Sequence, residues 1–312
     1  MNILITGAFG FVGTNLAKSL KQANKHHLIA LDLEEPASHI FDAFVTWGDL
    51  PQFDWSTINA IIHLAGKAHD TSNTADANTY FDINLGLTQR MVDYFSESAA
   101  SKFIFFSSVK AVADTVEDAI LTESSVCNPK TPYGQSKLAA EQYLLSKQLP
   151  AGKLVFVLRP CMIHGPGNKG NLNLLYKLAQ KGLPWPLGAF ENSRSFTSIQ
   201  NLQFVINQLI DRPVSPGVYQ VADDEPLSTN QLVQLMAESL QRKARIWKLS
   251  AGFIRFLAKT GDKLHLPLNT ERLKKLTESY VVSNEQLKGA LGINHMPVSS
   301  ADGMKQTFAS FL

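Results

Sequence analysis

Ile3-Leu4-Ile5-Thr6-Gly7-Ala8-Phe9-Gly10-Phe11-Val12-Gly13 joins a short apolar run to three glycines spaced three apart. An apolar run this short, without polar alternation, suits a strand buried on both faces. The period then changes, and Phe11–Gln22 reads as a helix. A strand, a glycine turn and a helix in immediate succession build a phosphate cradle. The glycines let the backbone turn sharply, and the free N–H groups and dipole of the helix N-terminus stabilise a pyrophosphate. The spacing is G-x-x-G-x-x-G rather than the tighter G-x-G-x-x-G, so its position between strand and helix carries the reading. Gly7, Gly10 and Gly13, with Phe9, Phe11 and Val12 between them, are assigned to a dinucleotide site.

Working outward, Leu28–Asp32 is the next buried run and ends in a carboxylate. Asp32 is placed to accept bonds from the adenosine ribose hydroxyls and to repel a 2′-phosphate. No Arg or Lys in the glycine loop or just after Asp32 would welcome that phosphate, so NAD is expected rather than NADP. Asp49, with Leu50 beside it, could receive the adenine amino group. A Gly48-Asp49 turn explains the same residue equally well.

Further strands are expected at Ala43–Thr46, Ala60–Leu64, Lys102–Phe106, Leu154–Leu158 and Val218–Ala222. Helices are expected at Ala75–Ala99, Tyr133–Leu149, near Leu172–Lys181 and at Asn201–Asp211. Apolar strands alternating with helices imply an α/β fold, a doubly wound parallel sheet. After Arg159-Pro160 the texture becomes loop-rich, and Ser228–Leu312 reads as short amphipathic helices. The predicted division is a dinucleotide domain over 1–163, rejoined by 199–224, and a smaller interleaved substrate lobe from 164–198 and 225–312.

The chemistry concentrates between Ser107 and Lys137. Ser107 and Ser108 end a strand, where ligands bind in open α/β sheets. Tyr133 and Lys137 lie one helical turn apart on one face. A phenol with a reference pKa of about 10 is a poor base at neutral pH. A neighbouring ammonium and a positive nicotinamide ring would favour the phenolate, making Tyr133 a base for a substrate hydroxyl that Ser108 orients. Tyr-x-x-x-Lys alone means little, because Tyr143 and Lys147 repeat it in the same helix. Ten residues turn a helix so that Tyr143 points roughly 80° away from Tyr133. Tyr143 and Lys147 are therefore read as packing and a solvated lysine.

These residues together resemble the extended short-chain dehydrogenase/reductases that act as nucleotide-sugar epimerases, reductases and dehydratases. The matching elements include the glycine loop, Asp32, His63-Leu64-Ala65-Gly66, Asn84, Ser107-Ser108, Tyr133-x-x-x-Lys137, Leu158-Arg159-Pro160, Gly165-Pro166-Gly167 and Arg194-Ser195-Phe196. The resemblance implies a Rossmann domain binding NAD, with Leu64, Ala65, Gly66, Ser107 and Pro160 lining the cofactor. It places Lys67 near the nicotinamide half or the substrate phosphates, and Asn84 in support of the active-site geometry. It assigns Asn171 and Leu172 to the nucleotide through the backbone and amide of their segment, Arg194 to the diphosphate and Met162 to the sugar. A homodimer through the helices near Ala75–Ala99 and Tyr133–Leu149 is also implied.

Departures narrow the chemistry. Dehydratases of this family carry Asp-Glu after the catalytic hydroxyl, where this chain has Val109-Lys110. Met162 and His164 stand where galactose-type epimerases carry asparagine and tyrosine, and His164 is not assigned a catalytic role. The expected activity is an NAD-dependent 4-epimerase of a UDP- or dTDP-hexose, working by transient hydride transfer. A 4-keto-sugar reductase or dehydrogenase is the near alternative. A non-catalytic dinucleotide sensor is the distant one, disfavoured by the intact Ser108, Tyr133 and Lys137.

The remaining composition excludes other classes. The 312 residues are 45% hydrophobic with 29 Lys/Arg against 27 Asp/Glu. Near-neutral charge without basic runs predicts neither nucleic acid nor membrane as a partner. Cys127 and Cys161 have no metal-ligand spacing, so no metal is expected. The N-terminus reads as a strand rather than a leader. A soluble, cytoplasmic protein is expected.

Overall fold

The computed structural model describes residues 1–22, 25–67, 76–116, 120–168, 171–264 and 268–311, with Asn171 described in its backbone only. The chain runs β1 (Asn2–Thr6), α1 (Phe11–Gln22), β2 (His27–Asp32), β3 (Ala43–Thr46), β4 (Ala60–His63), α2 (Ala77–Tyr80), α3 (Gly86–Glu97), β5 (Lys102–Phe106), β6 (Ile120–Leu121) and α4 (Pro132–Ser146). It continues through β7 (Leu154–Pro160), β8 (Met162–His164), α5 (Asn171–Gln180), β9 (Phe196–Ser198), α6 (Ile199–Asp211) and β10 (Gly217–Val221). The last part holds α7 (Thr229–Ser239), α8 (Ala251–Leu264), α9 (Thr270–Thr277), β11 (Val281–Val282), α10 (Glu285–Leu291) and α11 (Ser300–Ala309).

Seven strands form a parallel sheet in the order β10-β7-β5-β4-β1-β2-β3. The order reverses between β1 and β4, which opens a crevice at the carboxyl ends of those strands. The seven strands read from the apolar runs are these seven, with ends shifted by at most two residues. Both faces are covered. Leu16, Leu20, Leu202, Val205 and Leu209 of α1 and α6 pack on one side of the sheet. Met91, Val92, Phe95, Ala140 and Leu144 of α3 and α4 pack on the other.

Two local features were not foreseen. The expected continuous helix over Ala75–Ala99, whose first residue lies outside the described residues, is instead α2, a π turn at Phe81–Leu85, and α3. The π turn adds a residue to the helical circuit and so re-aims Asn84. Secondly, α10 falls in the stretch assigned to the substrate lobe, yet Leu287, Leu291 and Met296 pack into the core beside the sheet. The lobe itself centres on α5, α7 and α11 around Tyr176, Met236 and Phe308, and on α8 and α9 around Trp185, Ile254 and Leu273. Among the described residues no helix is long and apolar enough to cross a membrane.

Candidate active site

The glycine turn sits at the crevice. Gly7 has φ +65, and a Cβ on Gly13 would lie 2.5 Å from the Ala8 carbonyl oxygen, so neither position tolerates a side chain. Asp32 holds the turn as well as marking the end of β2. Its Oδ2 accepts from Phe9 N at 3.0 Å and its Oδ1 from Leu33 N at 2.9 Å. A carboxylate has further acceptor sites, so Asp32 retains capacity for ribose hydroxyls. The tight cradle at the start of α1 and this carboxylate fit a dinucleotide. Asp49 closes its own turn, its Oδ2 accepting from Thr46 N at 2.9 Å and Thr46 Oγ1 at 2.6 Å. The side chain of Leu50 beside it is fully buried in the core beneath, where an apolar side chain gains most, so any contact of this residue with the cofactor falls to its backbone.

Beneath the crevice, parallel pairing of β1 and β4 sets Thr6 opposite His63. Thr6 Oγ1 accepts from Ala65 N at 3.0 Å and lies 2.7 Å from His63 Nδ1. His63 Nε2 lies 3.2 Å from Thr88 Oγ1, which donates to Asn84 O at 2.6 Å. Each hydroxyl has one proton, so His63 accepts from Thr6 at Nδ1 and donates from Nε2 to Thr88. Burial, with the Lys137 charge nearby, pushes the imidazole down to about 3 and keeps it neutral. Asn84 continues the chain. Its Oδ1 accepts from Lys67 N at 2.8 Å and its Nδ2 donates to Ser136 Oγ at 2.9 Å. The π turn thus clamps the segment after β4 to α4.

The start of α4 is fixed from several directions. Thr131 caps the helix by accepting from Gly134 N, and Pro132 occupies its first turn. Asp114 accepts from Thr131 Oγ1 at 2.7 Å. A Cβ on Gly134 would stand 2.4 Å from the Lys110 carbonyl oxygen, so glycine lets α4 press against the 3₁₀ turn Val109–Ala111 after β5. That close approach brings Ser108 to Tyr133. Tyr280 Oη, donating to Ala113 O at 2.7 Å, braces the same turn from the lobe.

Lys137 is buried and donates from Nζ to Phe106 O at 2.9 Å. Burial lowers its ammonium to about 8, and Glu141 one turn along the helix acts in the opposite direction. Within the protein itself, burial pushes the Tyr133 phenol up, and the hydrogen bond with Ser108 opposes that rise. Ser107 lines the cavity but gives its hydroxyl hydrogen bond to Glu141, which also accepts from Arg159.

Above these residues lies a cavity of about 390 Å³. It runs from Phe11 and Val12 past Leu64, Gly66 and Lys67 to Ser108, Tyr133 and Lys137, and then by Pro160 and Met162 to Arg194. Arg194 is half-buried, donates from Nη1 to Lys275 O at 2.9 Å and is drawn down by burial against the pull of Glu278. Leu172, assigned to the nucleotide, has its side chain in the core of the lobe. It is outside the cavity lining because an apolar residue on the inner face of α5 packs inward. The side chain of Asn171 lies outside the described residues.

Two lining residues escaped the sequence reading. Lys110 places Nζ 4.3 Å from the centroid of the Tyr280 ring and donates to Asp114 O at 2.6 Å. A family dehydratase would carry an acid at this position. Lys110 had signalled only an absence in the sequence, whereas the fold sets a cation on the cavity wall. Tyr280 comes from a distant segment that no motif marked. His164 is fully buried against Thr307 and Asp223, away from the cavity lining. Tyr143 and Lys147 meet Asp93 on the surface.

Comparison with known proteins follows this geometry. The chain is 29% identical over 322 residues to the UDP-glucose 4-epimerase of Vibrio cholerae, covering 100% of this chain and 95% of the relative. It is 27% identical over 250 residues to an N-acetyl-alpha-D-glucosaminyl-diphospho-ditrans,octacis-undecaprenol 4-epimerase of Escherichia coli O157:H7, covering 78% and 73%. The UDP-glucuronic acid 4-epimerase of Bacillus cereus, solved in complex with NAD, shares the fold at a TM-score of 0.73 and 18% identity, covering 100% of this chain and 98% of that one. Residues 3–222 match the family described as the NAD dependent epimerase/dehydratase family, glycine turn and Tyr133–Lys137 pair included, and the chain belongs to that family.

Proposed function

We propose that the protein is an NAD-dependent 4-epimerase of a UDP- or dTDP-hexose. The observation that carries this reading is the continuity of one cavity from the Ser108–Tyr133–Lys137 cluster to Arg194. A base for a sugar hydroxyl and a cation for the diphosphate thus face one substrate space. Both curated relatives described above are named as 4-epimerases of sugars carried on a diphosphate.

Gly7, Gly10 and Gly13 hold the pyrophosphate of NAD at the start of α1, and Asp32 binds the adenosine ribose. Asp49 is a candidate for the adenine. Bound NAD supplies the acceptor for the C4 hydride and, once the keto sugar has turned, its donor. Tyr133 takes the proton of the C4 hydroxyl and returns it to the epimer, while Ser108 hydrogen-bonds the same oxygen. Lys137 keeps a positive charge beside them, and the charge of the cofactor ring offsets the burial that raises the Tyr133 phenol. Arg194 anchors the diphosphate bidentately, leaving the hexose free to turn. Lys110 replaces the acid that elimination would need, so the keto sugar is held without dehydration.

The test is to incubate the NAD-loaded protein with UDP- and dTDP-hexoses and follow C4 configuration by proton NMR. Interconversion of the two epimers without net NADH is expected. Stoichiometric NADH without epimer would establish the dehydrogenase or 4-keto reductase instead, and neither would leave a dinucleotide-binding protein without this activity. The same proposal includes a homodimer through α3 and α4, which pack together and leave Leu145 exposed; light scattering at two concentrations measures it.

A further inference from the structure

The total charge of the chain conceals an asymmetry. Residues 171–183 and 241–264 contain nine Lys/Arg and one Asp, leaving 20 basic and 26 acidic side chains for all the rest. The two segments belong to one lobe. Leu175 of α5 packs against the same cluster as Ile254 and Ala258 of α8. The nine cations are Lys177, Lys181, Arg242, Lys243, Arg245, Lys248, Arg255, Lys259 and Lys263, and among the described residues none forms an ion pair with a carboxylate.

The same segments also expose apolar groups. Among the described residues, nine of the fifteen exposed large hydrophobic side chains lie within 174–183 and 247–264. In α8, Ile254, Ala258 and Gly261 form the buried stripe. Phe253, Phe256, Leu257 and Leu264 fall next to that stripe within an arc of roughly 100°, open to solvent. Arg255, Lys259 and Lys263 follow at a spacing of four on the opposite side. The apolar arc of α8 is therefore roughly three times as wide as the stripe it buries against the protein. Trp247, 54% exposed, immediately precedes it. At the end of α5, Lys181, Arg242, Lys243 and Arg245 surround a second cavity, of about 520 Å³, with Leu183 at its edge.

Phe and Leu on one arc, an exposed Trp just before the helix, a polar face of Lys and Arg, and no length to span a bilayer are the features of a helix lying in a membrane interface. We infer that α8, with the preceding Trp247 and the basic cavity beside it, docks the protein on an anionic phospholipid surface. Phe253, Phe256 and Leu257 enter the headgroup boundary, and the cations meet lipid phosphates. Charge argues against a second copy here, since a two-fold pairing would set one strongly positive patch against another. The docked lobe adjoins the active site, because α9, packed on α8, supplies the Lys275 carbonyl that holds Arg194.

Flotation of the full chain with phosphatidylcholine vesicles, with and without about 30% phosphatidylglycerol, tests this. The protein should float with the anionic vesicles and not with the neutral ones, and salt should release it. Phe253→Ser with Phe256→Ser, and separately Lys259→Glu with Lys263→Glu, should each weaken the partition by about tenfold or more. Both pairs are exposed and distant from the catalytic cluster, so epimer interconversion of a soluble sugar nucleotide should persist. The inference is overturned if no binding occurs at low salt, or if the variants bind as the parent does. It is equally overturned if the Phe pair converts a dimer to monomers in light scattering, which would make this face an interface between copies.

Discussion

Arg159 of β7 places Nη2 2.5 Å from Glu141 Oε2 of α4, an ion pair almost wholly buried between the strand and the helix. Glu141 also accepts from Arg159 Nε at 3.0 Å and from Ser107 Oγ, so its carboxylate joins β5, β7 and α4. It lies four residues after Lys137 and opposes the loss of charge on that lysine.

Removing one partner of this pair leaves a buried charge uncompensated. Arg159→Met should therefore lower stability by about 3–5 kcal/mol in urea unfolding. Adding Glu141→Leu to that variant should recover much of the loss; if the double variant is as unstable as the single, the cost is packing rather than charge.

Tyr133→Phe should cut turnover by at least about a hundredfold, as expected for a lost general base, while NAD stays bound. Tyr143→Phe, on the same helix but at the surface beside Asp93, should stay within about twofold of the parent, a surface change remote from chemistry. Comparable losses in the two variants would sink the assignment of Tyr133.

His63 makes stability depend on pH in a definite direction. Its folded pKa of about 3 lies below the reference 6.5, so the unfolded chain takes up a proton that the folded chain refuses. The contribution is complete above pH 6.5 and is lost as pH falls toward 3, at about 1.4 kcal/mol per unit in between. Unfolding free energies at pH 7 and pH 5 should differ by about 2 kcal/mol on this account. His63→Gln should show a smaller difference, whatever its stability at pH 7.

Arg194→Ala should weaken sugar-nucleotide affinity by about tenfold to a hundredfold, the scale of a charge-assisted pair, and leave NAD affinity within about twofold. Isothermal titration with UDP reads this directly. An unchanged UDP affinity would remove Arg194 from the site and leave it a brace for the Lys275 carbonyl.

Asp32→Ala should narrow the preference for NAD over NADP by removing the charge that repels a 2′-phosphate. The variant also loses the bond to Phe9 N, so affinity for both cofactors should fall. A preference unchanged in ratio would mean that Asp32 serves the glycine turn alone.

Short-range signals were legible in the sequence because each is physically local. A buried parallel strand must be apolar throughout, so the runs from Ile3 to Val221 announced the sheet. A glycine turn at a helix start, and a Tyr–Lys pair one helical turn apart, are decided by neighbours within a few residues. Helix geometry, with the start after Pro132 and the Ser107-Ser108 strand end upstream, also separated Tyr133 from Tyr143, and the fold sets Tyr133 at the cavity and Tyr143 beside Asp93.

Tertiary structure decided what depends on separate segments meeting. Asn84 clamps Lys67 only because a π turn interrupts a helix that propensity would continue. Glu141 finds Arg159, and Lys110 finds Tyr280 and the neighbourhood of Arg194, across the parallel sheet and from the C-terminal lobe. The side chains of Leu50 and Leu172 turn into the core, because burying apolar surface is favourable, which leaves only their backbone for a ligand. The basic and apolar faces of α5 and α8 were invisible in a near-neutral total, since charge adds along the whole sequence while a surface field adds only over groups that fold side by side.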